Sequence, residues 1–219
     1  VKLEVTLLQV GQAGMRAVDS PVLRGSDQEH LRSGAVIRSQ AAILGHAATD
    51  GVFYNGFKGK DFAKVDGLQR MGIETYPPIV ARGVMLDMAA CMGQDMLQEG
   101  TAFNRAEIIA CEKKQGVSIE KGDVVLFNTG WMKLLDSEPA RFGKLEPGLG
   151  VDGAKYLVEK DVIAVGAGTW ALEPLPFEDP KIMFPVHQEL INYNGVYILE
   201  NMDTRELAAD KAYEFMFVL

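Results

Sequence analysis

The sequence holds only three histidines, so each one is a candidate for proton-transfer chemistry. His30 lies in a polar stretch and is assigned to the solvated surface. His46 and His187 lie in apolar surroundings, and Glu200 ends an apolar run later in the chain. A carboxylate at the end of a buried strand is costly unless a cation, a proton or a metal ion satisfies it. These residue types therefore predict a buried polar site.

A histidine beside a carboxylate forms a general acid/base pair, because each group shifts the pKa of the other. The functional interpretation is that His187 and Glu200 face a polar cavity shared with His46. The structural alternatives are that Glu200 pairs with Arg205 and that His46 binds the loop around Asp50. No phosphate-binding loop, nucleophile elbow or metalloprotease helix motif occurs in the sequence, so motifs alone do not decide between these interpretations.

The composition is that of an ordinary globular chain. Of 219 residues, 47% are hydrophobic and 24% are charged, which excludes disordered, collagen-like and coiled-coil chains. A net charge of −8 without a basic stripe argues against nucleic acid as a partner. No apolar run reaches the roughly 18 residues that a membrane span requires. Cys91 and Cys111 are expected to be reduced core thiols, and a cytoplasmic location is the default expectation.

Short apolar runs alternate with helical segments and would position the polar site. A capping-box pattern at Asn104 begins one predicted helix, which Gly116 ends, and a second helix covers 150–160. The predicted strands are 1–9, 83–88, 124–128, 162–165, 196–200 and 213–219. Continuous apolar strands between helices favour a single α/β or α+β domain over 1–219, with a mostly buried mixed sheet. The chain lacks an initiator Met and stops inside an apolar strand, so we expect truncation at one or both ends.

Several blocks of the sequence together resemble the putative cyclase family, which includes kynurenine formamidase and isatin hydrolase. The first block is Gly45-His46 with Asp50 to Gly56. The later blocks, in the order of the family, are 79–87, 121–131, 146–150, 164–173, 184–188 and 195–201. The resemblance covers most of the chain from about residue 36 onward, and its specificity comes from the number and order of the blocks.

The resemblance implies a swivelling β/β/α fold, a homo-oligomer (dimer or tetramer) and an arylformamidase-like hydrolase. Its substrate would be a small, aromatic amide, formamide or lactone, and its cofactor a divalent Zn or Mn ion. His46 would be the acid/base group, with His187 and Glu200 as metal ligands or as an orienting pair. The residues assigned to substrate binding are Gln40, Phe53, Tyr54 and Trp170.

The positions that carry the metal ligands in this family are changed in this chain. Family members typically carry His-x-x-x-His-x-Asp-x-x-x-His, and aligning the last histidine on His46 places the three ligands at Val36, Gln40 and Ala42. Valine and alanine have no donor atom, and glutamine is a weak neutral donor. We therefore expect a weakened or absent metal site. A set made of His46, His187 and Glu200 is the alternative way to bind one ion.

Three hypotheses about function follow from this departure. The first is a hydrolase of the cyclase family that uses His/Glu acid–base chemistry and a weakened or absent metal. The second is a metal-independent lyase or cyclase that uses the same residues for proton transfer. The third is a non-catalytic paralogue that kept the fold.

Overall fold

The structure is a computed structural model and describes residues 40–64 and 67–219. The strand predicted over 1–9 lies outside these residues. Within them, the strands are β1 (Gln40–Ala42), β2 (Ala63–Lys64), β3 (Gly67–Leu68), β4 (Val80–Asp87), β5 (Ala102–Phe103), β6 (Val124–Asn128), β7 (Gly148–Leu149), β8 (Ala164–Ala167), β9 (Tyr197–Glu200) and β10 (Glu214–Val218).

The main sheet has six strands in the order β1-β9-β8-β6-β4-β10. Its four central strands are parallel, whereas β1 and β10 pair antiparallel at the two edges. The remaining strands form the two-stranded pairs β2-β3 and β5-β7. This mixed sheet, enclosed between helices, confirms the predicted α/β class.

The helices are short, apart from two that cover the sheet. The α-helices are Gly59–Phe62, Met88–Cys91, Arg105–Gln115, Lys133–Ser137, Pro139–Phe142, Val151–Glu159, Pro185–His187 and Arg205–Asp210. Two 3₁₀ turns, Tyr54–Gly56 and Ile73–Thr75, and one π-helix, Gln188–Tyr193, complete the described segments. Over the same residues, no helix combines the length and apolar character that crossing a membrane requires.

The local signals in the sequence explain where the longest helix begins and ends. The backbone amide of Asn104 donates to the Glu107 carboxylate at 2.9 Å, as the capping-box pattern predicts. Gly116 adopts the left-handed conformation (φ 71°) that commonly ends a helix. The prediction for β6 is confirmed in full. β8 begins at Ala164, two residues later than predicted, and Asp161 makes a left-handed turn (φ 58°) between the preceding helix and this strand.

The apolar core lies on both faces of the sheet. Along β4, Val84 and Leu86 join the larger cluster under the helices Arg105–Gln115 and Val151–Glu159, whereas Met85 points to the opposite face. All three side chains are fully buried. A strand buried on both faces reads as a continuous apolar run, which is why the sequence shows no alternation there.

The expectation of reduced cysteines is wrong, because a disulfide joins Cys91 to Cys111. The helix Met88–Cys91 packs against Arg105–Gln115, which brings the two Cα atoms to 5.4 Å, within the usual range for a disulfide. Apolar surroundings do not distinguish a buried thiol from a buried disulfide. The expectation of a cytoplasmic location therefore loses the support that reduced thiols would have given it.

Candidate active site

His187 lies buried between two carboxylates. Its Nδ1 is 2.6 Å from Glu173 Oε1, and its Nε2 is 3.3 Å from Glu200 Oε1. The exposed fractions of the three residues are 4%, 0% and 5%. The two ring nitrogens can both donate to carboxylates only when the imidazole is protonated. The geometry therefore favours an imidazolium ion.

The charge of His187 follows from a competition between burial and its two partners. Burial lowers the pKa of His187, but hydrogen bonds and charge interactions with Glu173 and Glu200 outweigh it and raise the pKa to about 9. At neutral pH this side chain is therefore cationic. A fixed cation can donate a proton or stabilise a negative charge, but it is not a base.

His46 lies beside this cation. The ring centroids of His46 and His187 are 5.7 Å apart, and His46 is partly exposed whereas His187 is not. The structure thus brings together His46, His187 and Glu200, although their chemical roles stay predictions. The alternative pairing of Glu200 with Arg205 is wrong, because Arg205 binds Asp203 and Asp136 instead.

The sheet positions this cluster at the carboxyl end of β9, where Glu200 is the last residue of the strand. Ligand sites in parallel α/β sheets commonly lie at this end. The register of β1 against β9 pairs Gln40 with Glu200 and Ala42 with Ile198. Because side chains alternate along a strand, position 42 belongs to the same face as Glu200.

Sequence reasoning assigned no role to two buried carboxyl groups of the site, Glu173 and Glu146. Both are fully buried. The pKa of Glu146 is raised well above its usual range by burial, although the backbone amides of Trp170 and Ala171 donate to it. The available signal was the position of Glu173 between apolar residues and a proline, which is unusual for a charged side chain.

The residues predicted to bind substrate do not all meet at one place. Phe53 lines a cleft of about 350 Å³, together with Thr49, Val52, Asn55, Gly56, Asn192 and Tyr193. Tyr54 lies against Gly195, and Trp170 packs with the small apolar cluster around Trp131. For Gln40 only the backbone position in β1 is described.

Neutral polar side chains surround this cleft and join the two segments that carry the histidines. Thr49 donates to the Gln188 side-chain oxygen at 2.9 Å, and the Asn192 amide donates to both Thr49 and Gln188 at 3.1 Å. Gln188 also donates to the Ala48 carbonyl at 3.2 Å. Gln188 and Asn192 belong to the π-helix, a type of element that is frequent at functional sites.

The described residues do not fit the metal site that the resemblance implies. Ala42 is fully buried and offers no donor atom, and Val36 lies outside the described residues. Both nitrogens of His187 are already paired with carboxylates. Among residues 40–64 and 67–219, no group of three or more His, Cys, Asp or Glu is arranged to hold a metal ion.

The fold and the buried His/Glu site together define an α/β protein with an enzyme-like polar centre. A family model described as "Putative cyclase" matches residues 40–174, which is more than half of the chain. The chain therefore belongs to the putative cyclase family. A search of curated proteins found no match.

Solved structures agree with this assignment. A crystal structure described as a novel cyclase is 29% identical, has a TM-score of 0.73, and is matched over 82% of this chain and 60% of its own length. This chain thus spans about 60% of that cyclase. Isatin hydrolase A from Ralstonia solanacearum is 17% identical with a TM-score of 0.51, over 87% of this chain and 89% of its own, and so shares the fold.

Proposed function

We propose that this protein hydrolyses a small aromatic amide, formamide or lactone, and that His46 and His187 carry the reaction. The observation that supports the proposal is the pairing of a partly exposed histidine with a buried cationic one, 5.7 Å apart between ring centroids. Two histidines held in different environments suit two different tasks in proton transfer. The membership of the cyclase family supports an enzyme at the coarse level.

In the proposed reaction, His46 is the general base and removes a proton from water as the oxygen attacks the substrate carbonyl. The Nε2–H of His187, whose contact to Glu200 is the longer of its two at 3.3 Å, turns to the carbonyl oxygen and stabilises the negative charge that develops there by a charge-assisted hydrogen bond. The proton on His46 then passes to the leaving nitrogen or oxygen as the C–N or C–O bond breaks. Glu173 keeps His187 charged and oriented throughout, and Glu200 accepts the Nε2–H again when the product leaves.

The substrate pocket in this proposal is the cleft lined by Phe53, Thr49 and Asn192. Its volume of about 350 Å³ is at the small end for ligand pockets. Thr49 lies three residues after His46, and Gln188, which bonds Thr49, directly follows His187. The two aromatic rings of this cleft, Phe53 and Tyr193, together with its neutral hydrogen-bonding groups, suit a small, uncharged aromatic substrate. A homo-oligomer and a cytoplasmic location remain expectations.

A metal-independent lyase or cyclase is the second candidate. The same two histidines favour it. One base and one acid beside each other can move a proton on an activated carbonyl compound without a metal ion. Product analysis separates the two candidates, because only the hydrolase incorporates oxygen from labelled water into its product.

The test is a panel of isatin, formanilide and dihydrocoumarin, assayed with the full chain as purified and with its Zn and Mn content measured. We expect at least one substrate to be hydrolysed. We expect His46→Ala to lower kcat by about 10²-fold or more, because a positioned acid–base group contributes that much. His30→Ala, at the predicted surface histidine, is the matched control and should keep the wild-type rate. Undiminished turnover by His46→Ala, or no turnover of any panel member by the wild type, would contradict the proposal.

A further inference from the structure

Glu146 is a fully buried carboxyl group that the proposed reaction does not use. Its two carboxyl oxygens accept hydrogen bonds from the backbone amides of Trp170 and Ala171, each at 2.8 Å. Its own main chain exchanges two hydrogen bonds with Leu175, at 2.8 and 3.1 Å. One residue therefore holds both ends of the loop 170–175.

The middle of this loop has a conformation that needs external support. Leu172 has φ 61°, in the left-handed region that a non-glycine residue rarely adopts. Its carbonyl accepts a hydrogen bond from the Leu149 amide at 2.9 Å. Gly148 lies directly against the same peptide, since a Cβ there would overlap the Leu172 carbonyl. The segment 146–149 thus packs directly against the loop 170–175 and supports its conformation.

The next residue of the loop is Glu173, which makes the shortest contact to His187. Glu173 Oε1 is 2.6 Å from His187 Nδ1, and its other oxygen accepts the Val186 amide at 3.2 Å. A shift of the loop would displace the Glu173 carboxylate and so change its contact with His187. The hydrogen bonds therefore form a continuous path from Glu146 through the loop to the His187 ring.

We propose that Glu146 is a positioning residue, which fixes the loop 170–175 so that Glu173 pairs with His187. Its effect on turnover rests on the proposed function. Its effect on the His187 ring does not, because ring geometry can be observed without a substrate. The proposed hydrolase function and the positioning role of Glu146 can therefore fail independently.

The test substitutes Glu146→Gln, which keeps the size of the side chain but replaces one acceptor oxygen with a donor group. One of the two loop amides then loses its acceptor. Glu112→Gln is the matched control. Glu112 is also buried, and it accepts the Ile119 amide and the Tyr156 hydroxyl, both at 2.7 Å, away from His187.

The first measurement is the NMR signal of the His187 Nδ1 proton in ¹⁵N-histidine-labelled protein, assigned by its loss in His187→Gln. A proton shared with a carboxylate resonates far downfield. In Glu146→Gln we expect the signal to move upfield or to disappear through exchange with water. In Glu112→Gln we expect the wild-type position, even where thermal stability falls equally. A wild-type signal in folded Glu146→Gln would overturn the proposal.

The second measurement is turnover of whichever panel substrate the wild type accepts. We expect kcat of Glu146→Gln to fall by about 10²-fold with little change in KM, because a small misplacement of a catalytic group can cost that much. If the wild type turns over nothing while the His187 signal responds as expected, the hydrolase proposal fails and the positioning proposal stands. If Glu146→Gln does not fold, Glu146→Asp keeps the carboxyl group on a shorter side chain and should give a smaller upfield shift. An unshifted signal there would also overturn the proposal.

Discussion

At the scale of single residues, the charge of His187 depends on the two carboxylates that flank it. Transferring a lone imidazolium into the protein interior is unfavourable, and the pairs with Glu173 and Glu200 reverse that preference. In turn, the cation compensates two buried carboxylates. The charge of His187 therefore depends on both carboxylates.

This coupling makes stability depend on pH in a definite direction. The pKa of His187 is raised in the folded protein to about 9, so its contribution is fully present below the unfolded value near 6.5 and is lost as pH rises through 9. We expect the free energy of unfolding to fall by on the order of 3 kcal/mol across this window. Urea denaturation from pH 6 to pH 10 measures it.

His187→Gln is the control for that titration, since it lacks the group that loses its proton. We expect the difference in unfolding free energy between wild type and variant to shrink as pH rises from 6.5 to 9. A constant difference over that range would mean that His187 is already neutral at pH 7.

Only some residues of this site could be predicted from the sequence. His46, His187 and Glu200 could be selected because histidine is scarce and a carboxylate ends an apolar strand. Glu146 could not be selected, and Glu173 offered only its unusual position between apolar residues and a proline, because the importance of both comes from a loop that folds back onto the helix Pro185–His187. Contacts of that kind depend on three-dimensional packing and leave no periodic pattern in the chain.

At the scale of elements, Arg82 joins three pieces of the fold. It binds the buried Asp123 through two nitrogens, at 2.7 and 2.9 Å, and Glu214 on β10 at 2.8 Å. It also donates to the Ser118 carbonyl at 2.7 Å. Arg82 lies on β4, so one side chain ties the edge strand and the turn before β6 to the sheet.

We expect Arg82→Lys to lower the free energy of unfolding by about 2 kcal/mol, because a lysine cannot replace the two-nitrogen contact to a buried carboxylate. Lys121→Met is the comparison. The Lys121–Asp161 pair is exposed at both ends, so its loss should produce no measurable change. Chemical denaturation of both variants measures these changes in the free energy of unfolding. Equal stability of Arg82→Lys and wild type would contradict the prediction.

Elements with strong local signals could be predicted, whereas those fixed by tertiary contacts could not. The helix Arg105–Gln115 has a cap at each end in the sequence, and β6 is an unbroken apolar run. The π-helix Gln188–Tyr193 has no such signal. Its side chains are held by Thr49, far away in the sequence, so local propensity had little influence on it.

At the scale of the whole molecule, the disulfide closes a loop of 20 residues between Cys91 and Cys111. Closing a loop of this length restricts the unfolded chain and is worth about 3 kcal/mol. We expect a reducing agent to lower the free energy of unfolding by that order, as measured by thermal or urea denaturation with and without reductant. The double variant Cys91→Ala/Cys111→Ala should be insensitive to the reductant, and equal sensitivity of both proteins would contradict the assignment.

The same covalent loop includes the turn at Gly93, Gln94 and Asp95, three residues that are all exposed. Exposed turns of this kind are where proteases cut first. A single cut there would leave two polypeptides joined through sulfur, with β4 on one and β6 on the other. The nicked protein would run as one band on a denaturing gel without thiol and as two bands with it, and the sheet would still hold both pieces before denaturation.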